Sequence, residues 1–181
     1  MDTYKLKLTR LQNEILRFLF IKSGESFNQR AIARALNVSP TAIAKALEEL
    51  EKEGLVSVEK DEDTNHLSIE LNKQNADIFW MKRAENLRLL HECGLVDYLT
   101  ERFPGGAIIL FGSYAFGEDT LNSDIDIAVI GCKEKPIDLS RFEKTLERTI
   151  VVQYYQDLST MDRNLRSSIL NGITLHGAVE V

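Results

Sequence analysis

The stretch Phe111–Val129, FGSYAFGEDTLNSDIDIAV, is the segment around which the chain is organised. An apolar run, Ala107–Phe111, leads into it with the length and composition of a buried strand. Gly112-Ser113 ends that strand, and Tyr114-Ala115-Phe116 begins a short helix. Backbone N–H groups left free at such a strand-to-helix turn suit a polyphosphate. Ten residues after Ser113 comes Asp124, followed by a second apolar run, Ile125–Ile130. Asp124 and Asp126 are two apart, so a strand puts both carboxylates on one face while Ile125 and Ile127 point to the other. Two like charges on one face repel unless a cation joins them. Hard oxygen ligands beside a phosphate cradle favour Mg²⁺. The chemistry this suggests is metal-assisted phosphoryl or nucleotidyl transfer. The alternative, a glycine turn followed by two solvated aspartates, sits poorly with carboxylates in an apolar run.

The pattern Gly112-Ser113, ten residues, Asp124-x-Asp126 resembles the signature of the DNA polymerase β superfamily of nucleotidyltransferases. It is most similar to the small "minimal" nucleotidyltransferases of archaea and bacteria. That resemblance implies that Gly112 and Ser113 hold the triphosphate of a nucleotide, ATP by family analogy. It implies that Asp124 and Asp126 bind Mg²⁺ and are the catalytic residues. The expected reaction is transfer of AMP to a hydroxyl of a protein, RNA or small molecule. A helical toxin-like protein partner, and with it an antitoxin role, is a further implication of the resemblance alone. Active members draw a third carboxylate from the third strand. Here that strand, Thr149 to Tyr155, is TIVVQYY and holds no acid. Gln153 is the polar residue nearest the expected place, and an amide ligates Mg²⁺ more weakly than a carboxylate. Two readings therefore stand: an enzyme, or a non-enzymatic regulator whose degenerate domain senses nucleotide. An assembly module with neither activity is a third.

At the other end, Thr9 to Ile21 is predicted to be a helix, with Leu11, Ile15, Phe18 and Leu19 at helical spacing. Asn28 caps a second helix running to about Leu36. Ser39 is the N-cap and Pro40 the first residue of a third, which Gly54 ends. Leu55–Glu59 and His66–Leu71 alternate apolar and polar around Asp61–Asn65, as a β-hairpin does. Three helices and a hairpin resemble the winged helix-turn-helix. If the likeness extends to docking, the helix from Pro40 enters the major groove of DNA, presenting Ser39, Thr41 and Lys45, while Arg30 and Arg34 reach phosphates. The first 72 residues carry ten basic and twelve acidic side chains. That weakens the phosphate attraction, so useful affinity would call for a homodimer, and protein contact is the competing use.

The expected class is α+β: a winged helix over 1–72, a helical connector over 73–104, and a nucleotidyltransferase fold with a small mixed sheet flanked by helices over 105–181. In the connector Asn75 or Asp77 caps a helix through His91, and Lys82, Arg83 and Arg88 read as a solvated basic side. Near the end, Ser159 with Asp162 resembles a capping box for a last helix that Gly172 stops. Two cysteines and three histidines are scattered without metal-ligand spacing, and the net charge is −6. That charge argues against a general affinity for nucleic acid or anionic membrane. The N-terminal MDTYKLKLTR lacks a signal core, and no apolar run is long enough for a membrane span. A reduced, cytoplasmic setting is expected.

Overall fold

The computed structural model describes residues 7–60, 67–159 and 161–179, and the chain divides into two compact units, Met1–Ile78 and Phe79–Val181. Helix α1 (Arg10–Ile21) opens the first unit. Thr9 and Gln12 close a reciprocal capping box: the Gln12 N–H donates to Thr9 Oγ1 at 3.3 Å, and the Thr9 N–H donates to Gln12 Oε1 at 2.7 Å. Helix α2 (Gln29–Leu36) starts at Asn28, whose side chain accepts from the Ala31 N–H, and ends at Asn37 in the left-handed conformation. Helix α3 (Pro40–Lys52) starts as expected, with Ser39 accepting from the Ala42 N–H and proline in its first turn. Strands β1 (Val56–Lys60) and β2 (Leu67–Leu71) pair antiparallel from Val56 with Leu71 to Lys60 with Leu67. The hairpin tip expected at Asp61–Asn65, and His66 with it, lies outside the described residues. Ile15, Leu16, Leu19, Ile32, Ile43, Leu50 and Ile69 are fully or almost fully buried, so all three helices and the hairpin share one core.

The second unit is built on a mixed four-stranded sheet. Helix α4 (Ala76–Glu92) and helix α5 (Leu95–Arg102) lead to strand β3 (Ala107–Phe111). All five β3 residues are buried, as an unbroken apolar run predicts for a central strand. Helix α6 (Gly112–Phe116), strand β4 (Ile125–Ile130), helix α7 (Ser140–Leu146) and strand β5 (Ile150–Tyr155) follow. Helix α8 (Arg163–Leu170) and strand β6 (Ile173–His176) complete the fold. The strand order is β5-β4-β3-β6, with β4 and β5 parallel and the other two pairings antiparallel. On one sheet face, Ile108, Leu110, Ile125, Ile127 and Val129 pack with Leu90, Leu95, Leu99, Phe103 and Phe142. The other face carries Ile109, Phe111 and Ala128 against Leu158 and Ile169. Within the stretch 73–104, expected as a connector, Leu90, Leu95, Val96, Leu99 and Phe103 lie in the core of the second unit.

Two local expectations change. The cap of α8 is Asp162, which accepts from the Asn164 and Leu165 N–H groups, while Ser159 instead donates through its backbone N–H to Asp157 at 2.7 Å. The sequence shows two side chains able to cap, and the nearer one wins because it closes the tighter turn. Strand β6 follows directly on the glycine expected to stop the last helix. It is short and half polar, and it becomes a strand because β3 offers it an open edge. Gly172 lets it arrive: a Cβ there would fall 2.3 Å from the Leu110 carbonyl oxygen.

Candidate functional site

Strand β3 delivers Phe111 directly opposite Asp126 of β4. The chain then turns at Gly112, where φ is +72°, a conformation L side chains rarely adopt. A Cβ at Gly112 would come within 2.6 Å of Asp126 Oδ2. Glycine is therefore required twice, for the turn and for the carboxylate that lies on it. Asp126 is half-buried and Asp124, just before the strand, is exposed. Burial pushes the Asp126 carboxyl above its ordinary value, and the charge of Asp124 pushes it further the same way. The two acids thus share one field, as the Asp-x-Asp spacing predicts, and a divalent cation would relieve both. Among the described residues no group of three or more His, Cys, Asp or Glu side chains could hold a metal. Two carboxylates alone leave most coordination positions of a hard cation to water or to a ligand's oxygens.

The sheet register shows which residues Gln153 and its neighbours stand beside. Strands β4 and β5 run parallel with Asp126 beside Val151 and Ala128 beside Gln153. Val151 is therefore the β5 side chain next to Asp126 on the shared face. Gln153 lies one pleat further along, and its amide oxygen accepts from the Tyr155 hydroxyl. Composition of the strand was legible in the sequence; a two-residue offset between strands was not.

A buried charge cluster lies behind the site. Lys82, read from sequence as part of a solvated face, is 1% exposed. Its ammonium donates to the Asp119 carbonyl at 2.7 Å and to the Asp119 carboxylate. Asn86 donates to Asp119 Oδ1 at 2.8 Å and to the Tyr114 carbonyl at 2.9 Å. The Arg148 guanidinium stands 3.6 Å from the other Asp119 oxygen. Ile78, Lys82, Asn86 and Leu90 recur every fourth residue, so all four lie on the inward stripe of α4. That spacing was the available signal. Asp119 is so moored at the head of the loop returning from α6 to β4. The Thr120 N–H donates to Ser123 Oγ at 2.9 Å, and the Ile125 N–H donates to the Thr149 carbonyl at 2.8 Å. Both ends of the segment carrying Asp124 are held. Beside it opens a cleft of about 460 Å³ whose lining includes Asn122, Ser123, Asp124, Glu143, Glu147 and Arg148.

In the first unit Arg30, Arg34, Ser39, Thr41 and Lys45 are all exposed. Arg30 and Arg34, four apart, share one side of α2, and Thr41 and Lys45 share one side of α3. Glu48, three residues beyond Lys45, is exposed on that same side. No helix among the described residues is long and apolar enough to cross a membrane.

Residues 8–64 match the family model described as "MarR family", and residues 92–170 match that of the "Nucleotidyltransferase domain". The chain is 42% identical over 59 residues to the transcriptional regulator AdcR of Streptococcus pneumoniae. That match covers 33% of this chain and 38% of the regulator, so the chain spans little more than a third of its relative's length. Among solved structures it is similar to the adhesin competence repressor AdcR of Streptococcus pyogenes, at 26% identity and a TM-score of 0.41, over 54% of this chain and 69% of that one. It is also similar to Lactococcus lactis ZitR in complex with DNA, at 24% identity and a TM-score of 0.39, over 57% and 67% of the two chains. With both family matches falling on the two halves as built, the chain joins a MarR-family winged-helix domain to a nucleotidyltransferase domain.

Proposed function

We propose that the second unit binds a nucleoside triphosphate with Mg²⁺ and transfers AMP from ATP to a hydroxyl of a protein, RNA or small molecule. The observation that carries this reading is the Gly112 turn lying directly on Asp126, with Asp124 sharing its field. Gly112 and Ser113 hold the triphosphate, and Asp124 and Asp126 hold the metal. When bound, Mg²⁺ offsets phosphate charge and lowers the pKa of the attacking hydroxyl. The hydroxyl oxygen attacks the α-phosphorus, its proton passes to solvent, and pyrophosphate leaves. The cleft beside Asp124 is of a size to take the acceptor.

Val151 beside Asp126 favours a second reading, in which nucleotide binds but turnover is slow and the domain serves as a sensor. Labelled AMP transfer to lysate proteins and RNA separates the two. Val151→Asp is expected to raise the rate at least about tenfold, the equivalent of about 1.4 kcal/mol in the barrier. Gln153→Asp, one pleat away, is expected to do less. If wild type is fast and Val151→Asp slows it, the third ligand has been misplaced. If all three are inert while ATP binds, the sensor reading stands.

The first unit, in this reading, binds DNA as a homodimer in the cytoplasm, with α3 presenting Ser39, Thr41 and Lys45 and α2 presenting Arg30 and Arg34 to phosphates. A helical toxin-like partner remains a proposal from the resemblance. Gel-shift titration against the gene's own promoter across salt concentrations tests the interface. Arg30→Ala and Arg34→Ala should each lower the salt slope by about one. An unchanged slope in both would assign the winged helix to protein contact.

A further inference from the structure

Arg83 differs from the other cations around the nucleotide site. Lys82 and Arg148 are engaged by the Asp119 carboxylate. Arg83 is half-buried, yet no carboxylate among the described residues lies within ion-pair reach of it. Its guanidinium lies 5.4 Å from the centre of the Trp80 ring and 5.8 Å from that of Phe116. Trp80 is the chain's single tryptophan and is 65% exposed, an unusual placing for that side chain. Aromatic faces steady a guanidinium without occupying its N–H edges, which stay free for an anion.

The position of this cation is set by backbone. A Cβ at Gly117 would fall 2.3 Å from the Phe79 carbonyl oxygen and 2.9 Å from the Arg83 nitrogen, so the α4 main chain rests directly on the end of α6. Phe116 is three residues beyond Ser113, on the same side of α6. The ring beside Arg83 therefore shares a helix side with the residue assigned to the phosphates. Two carboxylates and a triphosphate together carry more negative charge than one divalent ion cancels. We infer that Arg83, held between Trp80 and Phe116, is an anion-binding residue that meets the triphosphate tail of the nucleotide. This rests on the nucleotide reading of the site given above.

The test uses the full chain and three probes: Mg·ATP, Mg·tripolyphosphate and AMP. Calorimetry reads affinity, and Trp80 emission reports occupancy beside Arg83. Arg83→Met is expected to weaken Mg·ATP and Mg·tripolyphosphate about ten- to a hundredfold, the range for losing a charged hydrogen-bond partner. AMP, which lacks the tail, should bind both proteins alike. Arg83→Lys keeps the charge without the fork and should fall between, and it provides a second variant should Arg83→Met fold poorly. Unchanged affinity of both variants for Mg·ATP overturns the inference. If Asp124→Asn/Asp126→Asn loses Mg·ATP while the Arg83 variants do not, only the role of Arg83 falls. If wild type binds neither polyphosphate, the nucleotide reading falls with it.

Discussion

Asp124→Asn/Asp126→Asn should lose Mg·ATP binding by more than about a hundredfold while the protein melts no lower than wild type. Two charged partners at about 1.5–3 kcal/mol each account for the loss. The stability follows from the sign of the Asp126 shift. Burial first, and Asp124 second, raise that carboxyl above its ordinary value. An acid whose folded pKa is raised holds its proton more tightly in the folded state. Its ionisation at neutral pH is then a net cost to the fold, and stability falls as pH rises through that raised value. Asparagine removes the cost and the mutual repulsion, so the melting temperature should hold or rise by a few degrees. The same linkage makes Mg·ATP affinity fall as pH drops toward the raised value, since metal and proton compete for one carboxylate. Calorimetry with and without Mg²⁺, at neutral and mildly acidic pH, reads all of this. A double variant that binds as wild type, or that melts well below it, would mean the acids are structural and the site lies elsewhere.

The largest stability effect should come from Asp119. Its side chain and that of Lys82 are each 1% exposed. The Arg148 side chain, 2% exposed, adds a second buried cation. Asp119→Ala removes the buried carboxylate that both cations share, and breaking a buried pair costs about 3–5 kcal/mol. For a unit near a hundred residues that corresponds to a fall in melting temperature of more than about 12 °C. Lys82→Met should also destabilise the second unit, since the Asp119 carbonyl and carboxylate both lose a donor. Arg83→Met, one residue along the same helix, should not, because its partners are ring faces. Thermal melts of the three variants side by side check the contrast. Equal melting of Lys82→Met and Arg83→Met would show that the cluster contributes little to the fold.

This difference between adjacent residues also marks how far the sequence could be read. Capping at Asn28 and Ser39, the central strand Ala107–Phe111 and the Gly112-Ser113 turn with Asp124-x-Asp126 were legible. Each depends on neighbours within a few residues, through local hydrogen bonds or a period of two or 3.6. The α+β class followed from those elements. The place of Val151 beside Asp126 did not, because it rests on the offset between two strands joined by a loop and a helix, which composition does not record. Nor did the burial of Lys82, whose partner Asp119 is 37 residues away. Strand β6 likewise exists because β3 leaves an edge to pair with. Local chemistry wrote the helices, the turn and the paired acids into the chain. Long-range packing chose which side chains stand beside those acids, since desolvation and strand register take effect only once distant segments meet.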